Sequence, residues 1–73
     1  SEILPSMHND LNKLGNFLVD HPDLQLEISG HTDSAGKEEA NRKLSQDRAD
    51  AIRMYLIEWY KIELDRILAK GYG

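Results

Sequence analysis

Residues 31–33 read His-Thr-Asp, and an arginine stands fifteen places on from Asp33, at Arg48. A carboxylate and a guanidinium on two sides of one mouth could hold a ligand that carries both an ammonium and a carboxylate. Guanidinium meets a carboxylate through two parallel hydrogen bonds. The same pair also admits plainer readings. Arg48 could sit in a structural ion pair with Asp33 or Asp50, or lift its head to solvent over its own apolar stem. Thr32 and Asp33 taken alone are at home in turns and helix caps. From the spacing these readings stay open together.

His31 invites catalytic readings that the rest of the chain does not support. A metal site needs further ligands at matched spacing, and His8 and His21 belong to a separate helix and its end. A Ser–His–Asp arrangement needs a serine on a sharp strand-to-helix turn, and Ser34 has no such elbow around it. Gly30 and Gly36 make neither a phosphate loop nor a dinucleotide fingerprint. No catalytic set emerges, so the chain reads as a non-enzyme without metal or cofactor, and His31 as a hydrogen-bonded residue of a loop.

The elements that must position these residues follow from periodicity. Pro5 suits a first helical turn, and Met7, Leu11, Leu14 and Leu18 recur on one helical face. His21-Pro22-Asp23 ends that helix, because the residue before proline is pushed out of the helical region. Leu24, Leu26 and Ile28 alternate with Gln25, Glu27 and Ser29, a strand over residues 24–29 with one buried face. Residues 30–36 form a loop. A second helix spans residues 37–60, with Glu38 and Glu39 complementing the dipole of its first turn. Asp65-Arg66 marks a turn before a short strand over 66–70. Two strands joined by a long helix are most simply parallel neighbours with a right-handed crossover.

With Arg48 at the zero of a helical wheel, Asn41, Leu44, Ala51, Ile52, Tyr55 and Trp59 fall within roughly 60° of it. That arc is expected to be the core-facing stripe. Arg42, Lys43, Asp47, Asp50 and Arg53 lie on the flanks or the opposite side, while Ile57 points away from the stripe. A charge on such a stripe needs an anionic partner.

Composition sets the bounds. Seventy-three residues make one domain with a thin core. The net charge of −4 argues against nucleic acid as partner, since neutralising phosphates takes a concentrated basic face. The absence of cysteine excludes a disulfide framework and thiolate metal sites. No apolar run approaches the roughly 18 residues a membrane helix needs, and no signal-peptide pattern opens the chain. Membrane attachment is expected only through segments outside these residues.

The run Gly30-His31-Thr32-Asp33, Gly36, Asn41, Leu44-Ser45, Arg48-Ala49, Tyr55-Leu56, Arg66-Ile67 and Gly71-Tyr72-Gly73 resembles the OmpA-like peptidoglycan-binding domain. Pro5, Leu11, Leu14, Leu18 and Pro22 fit that family's first helix and its ending. The resemblance covers essentially the whole chain. It implies an α/β fold, an α+β sandwich seen here as helix-strand-helix-strand with two parallel strands. It implies that residues 1–73 lack the family's first and last strands, so that partner strands are expected on both sides of the sheet and a dimer through an edge is possible. The implied function is non-covalent binding of peptidoglycan through the diaminopimelate of the stem peptide, anchoring an outer-membrane protein or lipoprotein to the cell wall. The implied place is the periplasm of a diderm bacterium. Asp33 matches the aspartate that receives the ligand's ammonium, Arg48 the arginine that receives its carboxylate, and Asn41 and Leu44 positions lining the same pocket, with Thr32 beside them. The same fold in a flagellar stator or secretion accessory protein, or an interaction module with a vestigial pocket, is the alternative. The chain departs from the family at Ala40, where an aromatic residue is frequent, and at Glu58-Trp59-Tyr60-Lys61, where a glycine usually ends the helix.

Overall fold

The computed structural model describes residues 7–30 and 37–72. Helix α1 spans His8–Asp20, strand β1 Leu26–Gly30, helix α2 Glu38–Tyr60 and strand β2 Ile67–Gly71, with a single 3-10 turn at Leu64–Arg66 before β2. The strands are parallel, and register partners run from Leu26 with Ile67 to Gly30 with Gly71. The order and the pairing are those expected from periodicity. Pro5 lies outside the described residues.

Helix α1 ends where the proline requires it. His21 leaves the helical region, its amide bonds to Phe17 O at 3.0 Å, and its ring stacks on Phe17 at 4.2 Å. The turn runs further than the alternation suggested. Leu24 N donates to His21 O, so Leu24 belongs to the turn, stays partly exposed, and β1 starts at Leu26. Arg66 locks this turn from the other end of the chain. Its guanidinium donates to the carbonyls of Leu18, His21 and Leu24 at 2.9, 2.7 and 3.0 Å. The last carbonyls of a helix lack partners within it, and a cation there also suits the dipole.

Leu18, Leu56, Ile62 and Ile67 form the buried core, ringed by Leu14, Leu26, Ile28, Ile52, Tyr55, Ile57 and Tyr60. The seat of α2 differs from the expected stripe. The residues it buries against the sheet are Ser45, Ala49 and Leu56, with Ile52 partly buried between them. At 3.6 residues per turn that row is rotated by about 70° from an arc centred on Arg48. Trp59 and Leu44, placed on the core side by the wheel, are 72% and 40% exposed. The reason is the size of the residues that do the seating. Gly30 and Gly71 stand side by side at the carboxyl ends of the strands, directly under α2. A Cβ on Gly30 would run into the Ser45 carbonyl oxygen, and one on Gly71 into the Gln46 amide nitrogen and Ser45 Oγ. The helix lies so close there that only small side chains fit, and the large apolar residues gather further along.

Helix α2 also closes one side of the sheet. Tyr72 N donates to Gly30 O, so by the alternation of a strand's backbone the groups of Ile67, Ala69 and Gly71 face away from β1. On that outer edge Arg53 Nε donates to Ile67 O at 2.8 Å, Gln46 Nε2 donates to Ala69 O at 3.0 Å, and Gly71 N donates to Gln46 Oε1 at 2.8 Å. A single carboxamide thus pairs with β2 as a neighbouring peptide group would. An open edge was expected on both sides; at β2 side chains from the helix occupy it.

Helix α2 stops without glycine. Lys61 takes the left-handed conformation, φ 55°, directly after Tyr60. The chain then turns inward to bury Ile62.

Candidate functional site

Strand β1 ends at Gly30 and α2 begins at Glu38, so the segment carrying His31, Thr32 and Asp33 connects the carboxyl end of the sheet to the first turn of the long helix. His31, Thr32 and Asp33 themselves lie outside the described residues. What α2 contributes is described. Asn41, Leu44 and Arg48 recur at spacings of three and four, which puts them on one flank of its amino-terminal half.

Arg48 is exposed and makes no hydrogen bond or ion pair with any of the described residues. Asp50, one of the carboxylates that could have paired with it, instead accepts a hydrogen bond from Gln46 at 3.1 Å. Arg48 thus escapes the cost of a buried charge by standing beside the core row rather than on it. Arg53 and Arg66 contrast with it, because their guanidinium groups are committed to backbone carbonyls. Asn41 is partly buried; its backbone amide bonds to Lys37 O at 3.0 Å, and its surroundings engage it further. Leu44 shows an apolar face to the same side as Arg48.

The flank is set in place by residues to which the helical wheel gave no seating role, Ser45 and Ala49, and by two tyrosines further along. Ser45 is fully buried, and its hydroxyl donates to Arg42 O at 2.8 Å, turning its polar atom back into the helix. With Ala49 it forms the narrow seat that lets α2 settle on Gly30 and Gly71. The signal was available in the four-, three- and four-residue spacing of Ser45, Ala49, Ile52 and Leu56, but two small residues do not announce a core face. Further along, Tyr55 and Tyr60 both donate to Asn12 Oδ1, at 2.9 and 2.7 Å, and tie α2 to α1. Partial desolvation, with Tyr55 adding a smaller push, raises the Tyr60 phenol above its ordinary value.

Among the described residues no three His, Cys, Asp or Glu side chains come together as a metal site. No helix among them is long and apolar enough to cross a membrane. The flank of Arg48 thus carries an exposed guanidinium, an apolar neighbour in Leu44 and an amide in Asn41.

Residues 1–73 match the family model described as the OmpA family. The chain is 37% identical over 73 residues to outer membrane porin F of Pseudomonas aeruginosa, covering all of this chain and 21% of that protein. It is 39% identical over 64 residues to the peptidoglycan-associated lipoprotein of Buchnera aphidicola subsp. Baizongia pistaciae, covering 88% of this chain and 36% of that protein. The fold is similar to the crystal structure of the peptidoglycan-associated lipoprotein from Burkholderia pseudomallei, with a TM-score of 0.91 and 28% identity, over 99% of this chain and 60% of that one. The chain therefore spans only a part of each of these proteins.

Proposed function

Because this chain belongs to the OmpA family, we propose that it grips peptidoglycan without a covalent bond, through the diaminopimelate residue of the stem peptide. Arg48 receives the carboxylate of that residue in a two-pronged contact and Asp33 receives its ammonium. Asn41 and Thr32 supply further polar contacts, and Leu44 lies against the aliphatic part of the ligand. No bond is made or broken. The domain works as an anchor in the periplasm, tying an outer-membrane protein or lipoprotein to the cell wall through segments beyond these 73 residues.

The observation that carries this reading is the uncommitted guanidinium of Arg48 beside Asn41 and Leu44, on a helix whose next arginine, Arg53, donates to two backbone carbonyls. The name of the Buchnera relative, a peptidoglycan-associated lipoprotein, supports the choice of polymer. A ligand that presents one positive and one negative group suits a site built from one aspartate and one arginine, since each desolvated charge finds its opposite.

Calorimetric titration with a diaminopimelate-containing stem peptide tests it. One saturable site is expected, weakened at least about tenfold by Arg48→Ala or Asp33→Ala, with the circular dichroism unchanged. Arg48→Lys should also bind more weakly, because a point charge cannot reproduce the fork of two donors. Alanine variants that bind as tightly as the parent sink the assignment, and variants that unfold make the residue structural.

A further inference from the structure

On the opposite side of α2 from Arg48 lies a groove of about 590 Å³ lined by Glu39, Arg42, Lys43, Gln46, Lys70 and Gly71. Its helical residues stand about 120° to 180° around α2 from Arg48, so it shares no described side chain with the flank of Arg48. Among the described residues, the three cations and one carboxylate that line it sum to a charge of +2, on a chain whose net charge is −4. Arg42 makes no side-chain hydrogen bond or ion pair with any of the described residues. Lys70 leans over the Tyr72 ring at 5.2 Å, which leaves its three N–H donors without a described carboxylate. Lys43 meets Asp47 at 3.6 Å in an exposed pair, a contact that solvent and salt weaken. The floor is backbone at Gly71, held in place by the Gln46 carboxamide, so the groove keeps its shape without a side chain to fill it.

We propose that this groove binds a phosphate monoester group, in a site independent of the one around Arg48. The charge count favours a phosphate over a single carboxylate: at neutral pH a phosphate monoester carries close to two negative charges and offers three acceptor oxygens. Arg42 provides a planar fork for two of those oxygens, while Lys70 and Lys43 approach from the strand side and the helix side. Glu39 limits the site, and its neighbourhood makes it selective for a ligand with enough charge to outweigh one carboxylate. The phosphate can come from a soluble phosphorylated molecule or from a lipid headgroup, and the two sources share this chemistry.

The test is a titration of the chain with inorganic phosphate at low salt, followed by amide shifts in nuclear magnetic resonance. The amides of Arg42, Gln46, Lys70 and Gly71 should move together along one binding curve that weakens as salt is added. The double variant Arg42→Gln, Lys70→Gln should weaken binding about tenfold, and Glu39→Gln or Asp47→Asn should tighten it. Arg48→Ala should leave the curve in place, whatever it does to stem-peptide binding, so the two sites fail separately. Flotation with vesicles containing phosphatidic acid identifies the source: binding lost in the double variant assigns a headgroup, and no flotation with phosphate shifts intact assigns a soluble ligand. Absence of coherent shifts, or shifts that survive the double variant, overturns the proposal.

Discussion

Gly30 and Gly71 are register partners across the two parallel strands, and the backbone of α2 at Ser45 and Gln46 rests on both. The contact fixes how low the amino-terminal half of the helix lies, and hence where Asn41, Leu44 and Arg48 stand relative to the end of β1. Alanine at either glycine puts a methyl group where helix backbone already is. Overpacking of this kind costs about 1–3 kcal/mol. Urea denaturation should show that loss for Gly71→Ala and for Gly30→Ala. Because the helix must lift, stem-peptide affinity should fall with it, although neither glycine is among the residues proposed to hold the ligand.

Arg66 ties the end of α1 and the following turn to the start of β2 through three carbonyls. Hydrogen bonds from charged donors contribute about 1.5–3 kcal/mol each where water is excluded and less where it is not. Since two of these contacts are exposed, Arg66→Ala should cost about 2 kcal/mol in total by the same measure. Arg66→Lys should recover only part of it. Hydrogen exchange should quicken first at Leu24, whose amide closes the turn on His21 O.

Lys61 does a glycine's work at the end of α2. A side chain in the left-handed region costs about 1–2 kcal/mol, and glycine removes that cost while adding freedom to the unfolded chain. Lys61→Gly should therefore raise the stability by roughly 0.5 kcal/mol, the difference of those two effects. A fall in the urea midpoint would show that Lys61 contributes a contact beyond its backbone geometry.

Alkaline pH should loosen the junction of α1 and α2. The Tyr60 phenol is raised by desolvation first and by Tyr55 second, so the folded state holds its proton more tightly than the unfolded one. Stability is then fully present below the ordinary tyrosine value of about 10 and is lost as pH rises through the higher folded value. Tyr60→Phe should flatten that alkaline decline, read from melting temperatures across the pH range. An unchanged decline would place its origin elsewhere.

The order of elements and the parallel pairing were legible because they rest on patterns that need no partner: the Met7-Leu11-Leu14-Leu18 face, the Leu26-Ile28 alternation, and the stop at His21-Pro22. The face of α2 was not. Its wheel gives weight to Leu44, Tyr55 and Trp59 because they are large, whereas the seat is made by Ser45 and Ala49 because they are small. Only the two glycines opposite explain that choice, and they lie 15 and 26 residues away from Ser45 along the chain. Arg48 stood out in the sequence as a charge on an apolar arc. In the fold it borders the core instead, which keeps its charge in water and available. The groove around Arg42 and Lys70 had no sequence signature, since these two residues stand 28 positions apart, one on a helix and one on a strand.

The Gln46 carboxamide laid along β2 has an arithmetic consequence. A two-stranded sheet with both margins free is a bifunctional monomer: each addition leaves a new free margin, and the product is a fibre. Here Arg53 and Gln46 remove one of the two functions, and among the described residues no side chain covers the outer backbone of β1 at Glu27 and Ser29. A molecule with a single reactive margin is a chain terminator. Strand addition can then proceed at β1 alone, and it ends with the first strand that pairs there.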